Sequence, residues 1–84
     1  MSDESRSVGV IAVIVKDRSS ATLVNKVTSE FGDSIIGRMG LPYYERNLNI
    51  ITLIVDATTD AIGAFTGKIG QIPNVTVKAT LAKV

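Results

Sequence analysis

The chain contains neither cysteine nor histidine, and those two absences remove most of the side-chain chemistry that enzymes and metal sensors rely on. Disulfides, structural zinc, thiol nucleophiles, imidazole bases and the usual transition-metal ligands are excluded within the sequence. Only carboxylates, hydroxyls and amides are left to hold a cation, so no metal and no cofactor is expected. Tryptophan is missing as well, and aromatic residues make up only 5% of the sequence, too few for a ligand cage of stacked rings. There is no basic run either. Nine Lys and Arg are scattered from Arg6 to Lys83 against eight Asp and Glu, a formal charge of +1. A chain that tracks a phosphate backbone concentrates its cations, so direct nucleic-acid contact is not expected. No apolar run is long enough to span a bilayer, and residues 1–7 are polar and acidic, unlike the basic start of a secretory signal. The expected compartment is the cytoplasm, with no membrane partner.

What the sequence does have is aliphatic residues. Hydrophobic residues make up 45% of its 84 positions, most of them Ile, Val, Leu and Ala. A chain this short buries only about 60–65% of the surface it exposes unfolded, so its core is thin and apolar surface is left over for a partner.

Residues 1–7 lack periodicity and read as a frayed terminus, followed by a single domain over residues 8–84. Residues 8–15, Val-Gly-Val-Ile-Ala-Val-Ile-Val, are apolar almost without interruption and β-branched, the signature of a strand buried on both faces. Asp17 or Ser19 can cap a helix over roughly residues 18–31, where Ala21, Val24, Val27 and Phe31 recur at helical spacing. Residues 35–41 form a weaker strand, broken by Gly37, Arg38 and Gly40 and limited by Pro42, which suits an edge. Residues 43–47 turn the chain. Residues 49–56 place Ile50, Thr52 and Ile54 on one side and Ile51, Leu53 and Val55 on the other, again apolar on both. Thr58, Thr59 or Asp60 can cap a second helix with the stripe Ile62, Phe65, Ile69 and Ile72, ended by Pro73 and Asn74. Val75, Val77, Ala79 and Leu81 then alternate with polar neighbours as a strand with one wet face.

The order β-α-β-β-α-β, with short loops and right-handed crossovers, predicts an α+β, ferredoxin-like sandwich: a four-stranded antiparallel sheet of order 4-1-3-2 with two helices on one face. The two doubly apolar strands then lie in the middle, yet the helices cover only one side. An uncovered patch of several hundred Å² is near the limit for a monomer, so a homo-oligomer, dimer or tetramer, is expected through the helix-free face. Val8, Val10, Ile50, Ile51, Leu53 and Val55 are the candidate interface residues.

The segment Gly63-Ala64-Phe65-Thr66-Gly67-Lys68-Ile69 looks at first like a phosphate loop. It has three residues where that motif has four between Gly and Gly-Lys, and Ile69 where a hydroxyl would reach magnesium. On a helix, Gly63, Gly67 and Gly70 instead cluster well away from the apolar stripe. Each Gly in a helix interior costs up to about 1 kcal/mol relative to Ala, so an outward glycine face points to a docking subunit or ligand.

Several strings together resemble a small family named as regulators of the iron-only hydrogenase system: Gly37-Arg38-Met39-Gly40-Leu41-Pro42, Asn49-Ile50-Ile51, the run from Ile62 to Ile72, and Val75-Thr76-Val77-Lys78. The family is similar in fold to ACT domains and to the C-terminal domain of the nickel-responsive repressor, oligomeric modules that bind small effectors. The resemblance implies an ACT-like regulatory role. It does not extend to nickel, since His and Cys are missing, nor to a ribbon-helix-helix segment ahead of Val8, nor to the glycine that many amino-acid-binding ACT domains carry after the first strand.

Candidate ligand-binding residues are Arg38 and Arg46 in the hairpin, whose guanidiniums fork onto carboxylate or phosphate, Tyr43 and Tyr44 beside them as a stacking wall, and Gly63, Gly67 and Lys68 on the second helix. Asp17, Asp56 and Asp60 fit helix caps and strand ends better than acid/base pairs, so no catalytic residue is expected. The leading expectation is a non-enzymatic, effector-binding regulator with a small anionic effector or a partner protein. The alternatives are a regulator that contacts DNA and, behind it, a small oligomeric enzyme with an interfacial site.

Overall fold

The structure is a computed structural model and describes residues 6–84. Four strands, β1 (Arg6–Val15), β2 (Ile35–Tyr43), β3 (Leu48–Thr58) and β4 (Val75–Ala82), form one sheet in the order β2-β3-β1-β4, every pair antiparallel. Two helices, α1 (Ala21–Glu30) and α2 (Thr59–Gly70), follow β1 and β3. This is the ferredoxin-like arrangement, read from the opposite edge.

A side chain takes up a free backbone N–H at the start of α2 and of the 3-10 turn that precedes α1. Asp17 accepts from the Ser19 N–H at 3.0 Å in the 3-10 turn Arg18–Ser20 that leads into α1, and Thr58 Oγ1 accepts from the Ala61 N–H at 3.1 Å. Within α1, Thr28 Oγ1 donates to the Val24 carbonyl at 2.7 Å, which lets a hydroxyl sit inside the core. Asn47 and Asn74, at φ 53° and 64°, take the left-handed turns before β3 and β4, a conformation asparagine tolerates better than most residues. Ser20 donates to the Pro73 carbonyl at 2.7 Å and the Lys16 N–H to the Asn74 carbonyl at 2.8 Å, tying the two crossover loops together.

One face of the sheet packs against the helices. Ile11, Val13 and Val15 of β1 and Ile51, Leu53, Val55 and Ala57 of β3 bury there with Val24 of α1 and with Ile62, Phe65, Ile69 and Ile72 at and beyond α2. Each large side chain so buried contributes about 1.5–3 kcal/mol relative to exposure. The Phe31 and Phe65 rings stack at 4.5 Å between centroids and join the two helices.

The opposite face is uncovered. Register places Val8, Val10, Ala12 and Ile14 of β1 beside Ile50, Thr52 and Ile54 of β3, and Met39, Leu41 and Tyr43 of β2 beside Thr52, Ile50 and Leu48. Met39 is 69% exposed and Leu41 54%. Three of the interface residues expected from sequence are therefore misplaced. Ile51, Leu53 and Val55 lie opposite Val13, Ile11 and Gly9 and are buried under the helices, because side chains alternate along a strand and cannot share a face with Ile50.

At the N terminus, residues 1–5 of the expected frayed segment lie outside the described residues. Arg6 and Ser7 are strand: they pair with Thr58 and Ala57, and Arg6 bonds the Asp56 carboxylate at 3.1 Å, partners made possible by β3 running two residues beyond Asp56. Among the described residues, no helix is long and apolar enough to cross a membrane.

Candidate functional site

The expected ligand residues come apart into three places. Arg38 points to the helix side of β2, where its guanidinium donates to Asn25 Oδ1 of α1 at 3.0 Å. Tyr43 lies on the other face of the sheet, opposite Leu48, and Arg46 sits in the exposed 3-10 turn Tyr44–Arg46 at the hairpin tip. Gly63 and Gly67 lie on the outer surface of α2, where an added Cβ would meet nothing within 4 Å. Gly70, on the same flank, faces Val77 of β4, so this flank looks away from α1. Lys68 is turned the other way, toward α1, with Nζ 3.8 Å from Glu30 Oε1.

Two pockets follow from this layout. The first is an apolar groove of about 220 Å³ between the helices, lined by Val27, Phe31, Ala61, Ala64 and Phe65, with Glu30 and Lys68 at its rim. It is the gap left where alanines, rather than larger residues, face the neighbouring helix.

The second is composite, one half mainly polar and the other mainly apolar. At the end of the sheet where β1 delivers the chain to α1 and β2 turns into β3, a cavity of about 280 Å³ is lined by Ala21, Asn25, Arg38, Gly40, Leu41 and Ile51, among others. A neighbouring cavity of about 330 Å³ is lined by Arg18, Tyr44 and Asn47. Both share Val15, Pro42 and Asn49 as a common wall. Sequence reasoning found Arg38 and Tyr44 here and missed Arg18, Asn25, Asn47 and Asn49. Carboxamides carry no local signal of binding, and only the sheet register brings the loop after β1 to the hairpin.

Nothing in either pocket resembles a reaction centre. Among the described residues, no group of three or more Asp and Glu gathers to hold a metal ion. Every buried side-chain polar atom of the described residues has a hydrogen-bond partner, so no orphaned group marks the place of a missing ligand.

Comparison with known proteins agrees with the fold. Over residues 7–79 the sequence matches the TM1266-like family, described as "Iron-only hydrogenase system regulator, putative". Among solved structures, the uncharacterized protein TM1266 from Thermotoga maritima superposes with a TM-score of 0.88 at 33% sequence identity, covering 93% of this chain and 99% of that one. The C-terminal domain of the MgtC protein from Mycobacterium tuberculosis gives a TM-score of 0.68 at 15% identity, covering 98% and 94%, a likeness of fold alone. No curated protein matches the chain.

Proposed function

The chain belongs to the TM1266-like family of iron-only hydrogenase system regulators, and from that premise we propose that it is a non-enzymatic regulatory module that works as a homo-oligomer. The observation that carries the oligomer is the helix-free face of the sheet. Val8, Val10, Ile14, Ile50, Ile54, Met39, Leu41 and Tyr43 share it, and the strand register gives them no covering element among the described residues. A patch of several hundred Å² of this kind is what soluble proteins keep for a partner.

A second copy is the partner that fits. The charges toward one end of the face, Arg6 and Asp56, neutralise each other, and Lys78 opposite Ala12 stands toward the β4 side. With Arg6 and Asp56 paired, the face carries little net charge for a second copy to overcome, whereas a nucleic acid finds no cationic stripe to follow. Burial at about 25 cal/mol per Å² is worth several kcal/mol before association entropy is subtracted, enough to hold a dimer when the packing is good.

Regulation through a small effector completes the reading: the module senses a metabolite and passes the state of its assembly to the hydrogenase system. Size-exclusion chromatography with light scattering tests the assembly, and a strict monomer at micromolar concentration would sink it. Deleting the gene and measuring hydrogenase transcript and activity tests the regulatory role, and unchanged levels of both would count against it.

A further inference from the structure

We infer that the composite cleft at the α1 end of the sheet, flanked by Arg18 and Arg38, is a binding site for a short dicarboxylate. The inference rests on the effector reading above and gives it a place and a ligand class.

Charge is the first argument. Arg18 lines one half of the cleft and Arg38 the other, and no Asp or Glu lines either half. The two ion pairs found among the described residues, Arg6 with Asp56 and Lys68 with Glu30, involve neither arginine. Asp17, next to Arg18 in the chain, has its carboxylate turned to the Ser19 N–H, and Glu45 sits one residue past Tyr44 in the hairpin turn. The cleft is thus a cationic concavity whose counter-ion is not supplied by its own walls.

Donor geometry is the second. A guanidinium carries five N–H donors in a planar fork matched to a carboxylate. Arg38 spends one on Asn25 Oδ1 at 3.0 Å, which fixes its direction and leaves the rest of the fork available. Asn49 stands in the wall common to both halves and Asn47 beside Arg18's half, so carboxamide N–H groups are at hand for the remaining oxygens.

The middle of the cleft sets the ligand's body. Val15, 1% exposed, and Pro42 form the shared wall, with Leu41 and Ile51 next to Arg38. A guanidinium at each end and an apolar stretch between them suit a short carbon chain carrying two carboxylates. Volumes of about 330 and 280 Å³ are at the small end of small-molecule sites and exclude nucleotide-sized ligands from full enclosure.

The test is a titration of the isotope-labelled protein with succinate and with glutarate, followed by amide NMR shifts, with acetate and inorganic phosphate as comparison anions. Saturable shifts are expected at Ala21, Asn25, Gly40, Asn47 and Asn49, with acetate binding far more weakly. Arg18→Gln and Arg38→Gln, both at exposed side chains, should each weaken succinate by about tenfold or more, the loss expected when one charge-assisted partner is removed. Three results would overturn the site: no saturable shift at millimolar dicarboxylate, shifts confined to other surfaces, or affinities unchanged in both variants. Phosphate binding more tightly than either dicarboxylate would overturn the ligand class. Light scattering on the same samples separates the two readings, because an oligomer that ignores dicarboxylates defeats this site alone and a monomer that binds them defeats the assembly alone.

Discussion

Leu81 of β4 folds its side chain over the backbone of Gly9, the residue directly opposite it on β1. A Cβ added to Gly9 would fall inside the contact distance of Leu81 Cδ2 and 2.6 Å from the Thr80 carbonyl oxygen. Glycine is needed here for space, since its φ is not positive. Gly9→Ala should therefore destabilise by about 1–3 kcal/mol, the usual cost of overpacking. Urea denaturation measures it. Adding Leu81→Ala should recover only part of the loss, because the Thr80 oxygen belongs to the backbone and cannot swing away.

The outward glycines of α2 make the opposite prediction. An added Cβ at Gly63 or Gly67 meets nothing within 4 Å, so the Gly63→Ala/Gly67→Ala double variant should gain about 1–2 kcal/mol of helix propensity. For a domain of this size that raises the melting temperature by roughly 4–8 °C per kcal/mol. A fall in thermal melting would mean that another surface already occupies this flank.

Disrupting the uncovered sheet face should change assembly and leave folding intact. Met39 is largely exposed and Ile54 partly so, and neither belongs to the buried core. Met39→Lys with Ile54→Lys should convert an oligomer to a monomer with unchanged far-ultraviolet circular dichroism, because two like charges would then face their own copies across the contact.

The aromatic stack should prove unequal in its two halves. Phe65 is buried and Phe31 only partly so. Phe65→Ala should cost about 3–5 kcal/mol and Phe31→Ala clearly less. A double-mutant cycle between them should return a coupling of about 0.5–1.5 kcal/mol beyond the two burial terms.

How far the sequence went is visible in single residues. The doubly apolar runs in β1 and β3 identify the central strands, and Thr58 and Asp17 stand where helix caps are needed. When both sides of a strand are apolar, however, alternation cannot say which side the helices cover. That is why Ile51, Leu53 and Val55 appeared beside Ile50 as interface residues. In β2 the register slips between Ile35 and Gly37, so the alternation of Met39, Leu41 and Tyr43 starts out of phase with Ile35 and stays hidden among glycines. The cleft was legible only at Arg38 and Tyr44. Its other members come from the loop after β1, from α1 and from the start of β3, and nothing in their local sequence records that the sheet brings them to one end.

The sheet order also bears on how the chain is made. β1 sits between β3 and β4, so the strand synthesised first pairs only with the two synthesised last. While the ribosome is still producing residues 48–58, a strand apolar on both faces has no partner, and its second edge stays open until residues 75–82 arrive. Contacts this far apart in sequence slow folding and expose sticky intermediates. Until residues 75–82 are made, the first strand therefore keeps an open, apolar edge at which mispairing with another chain competes with folding.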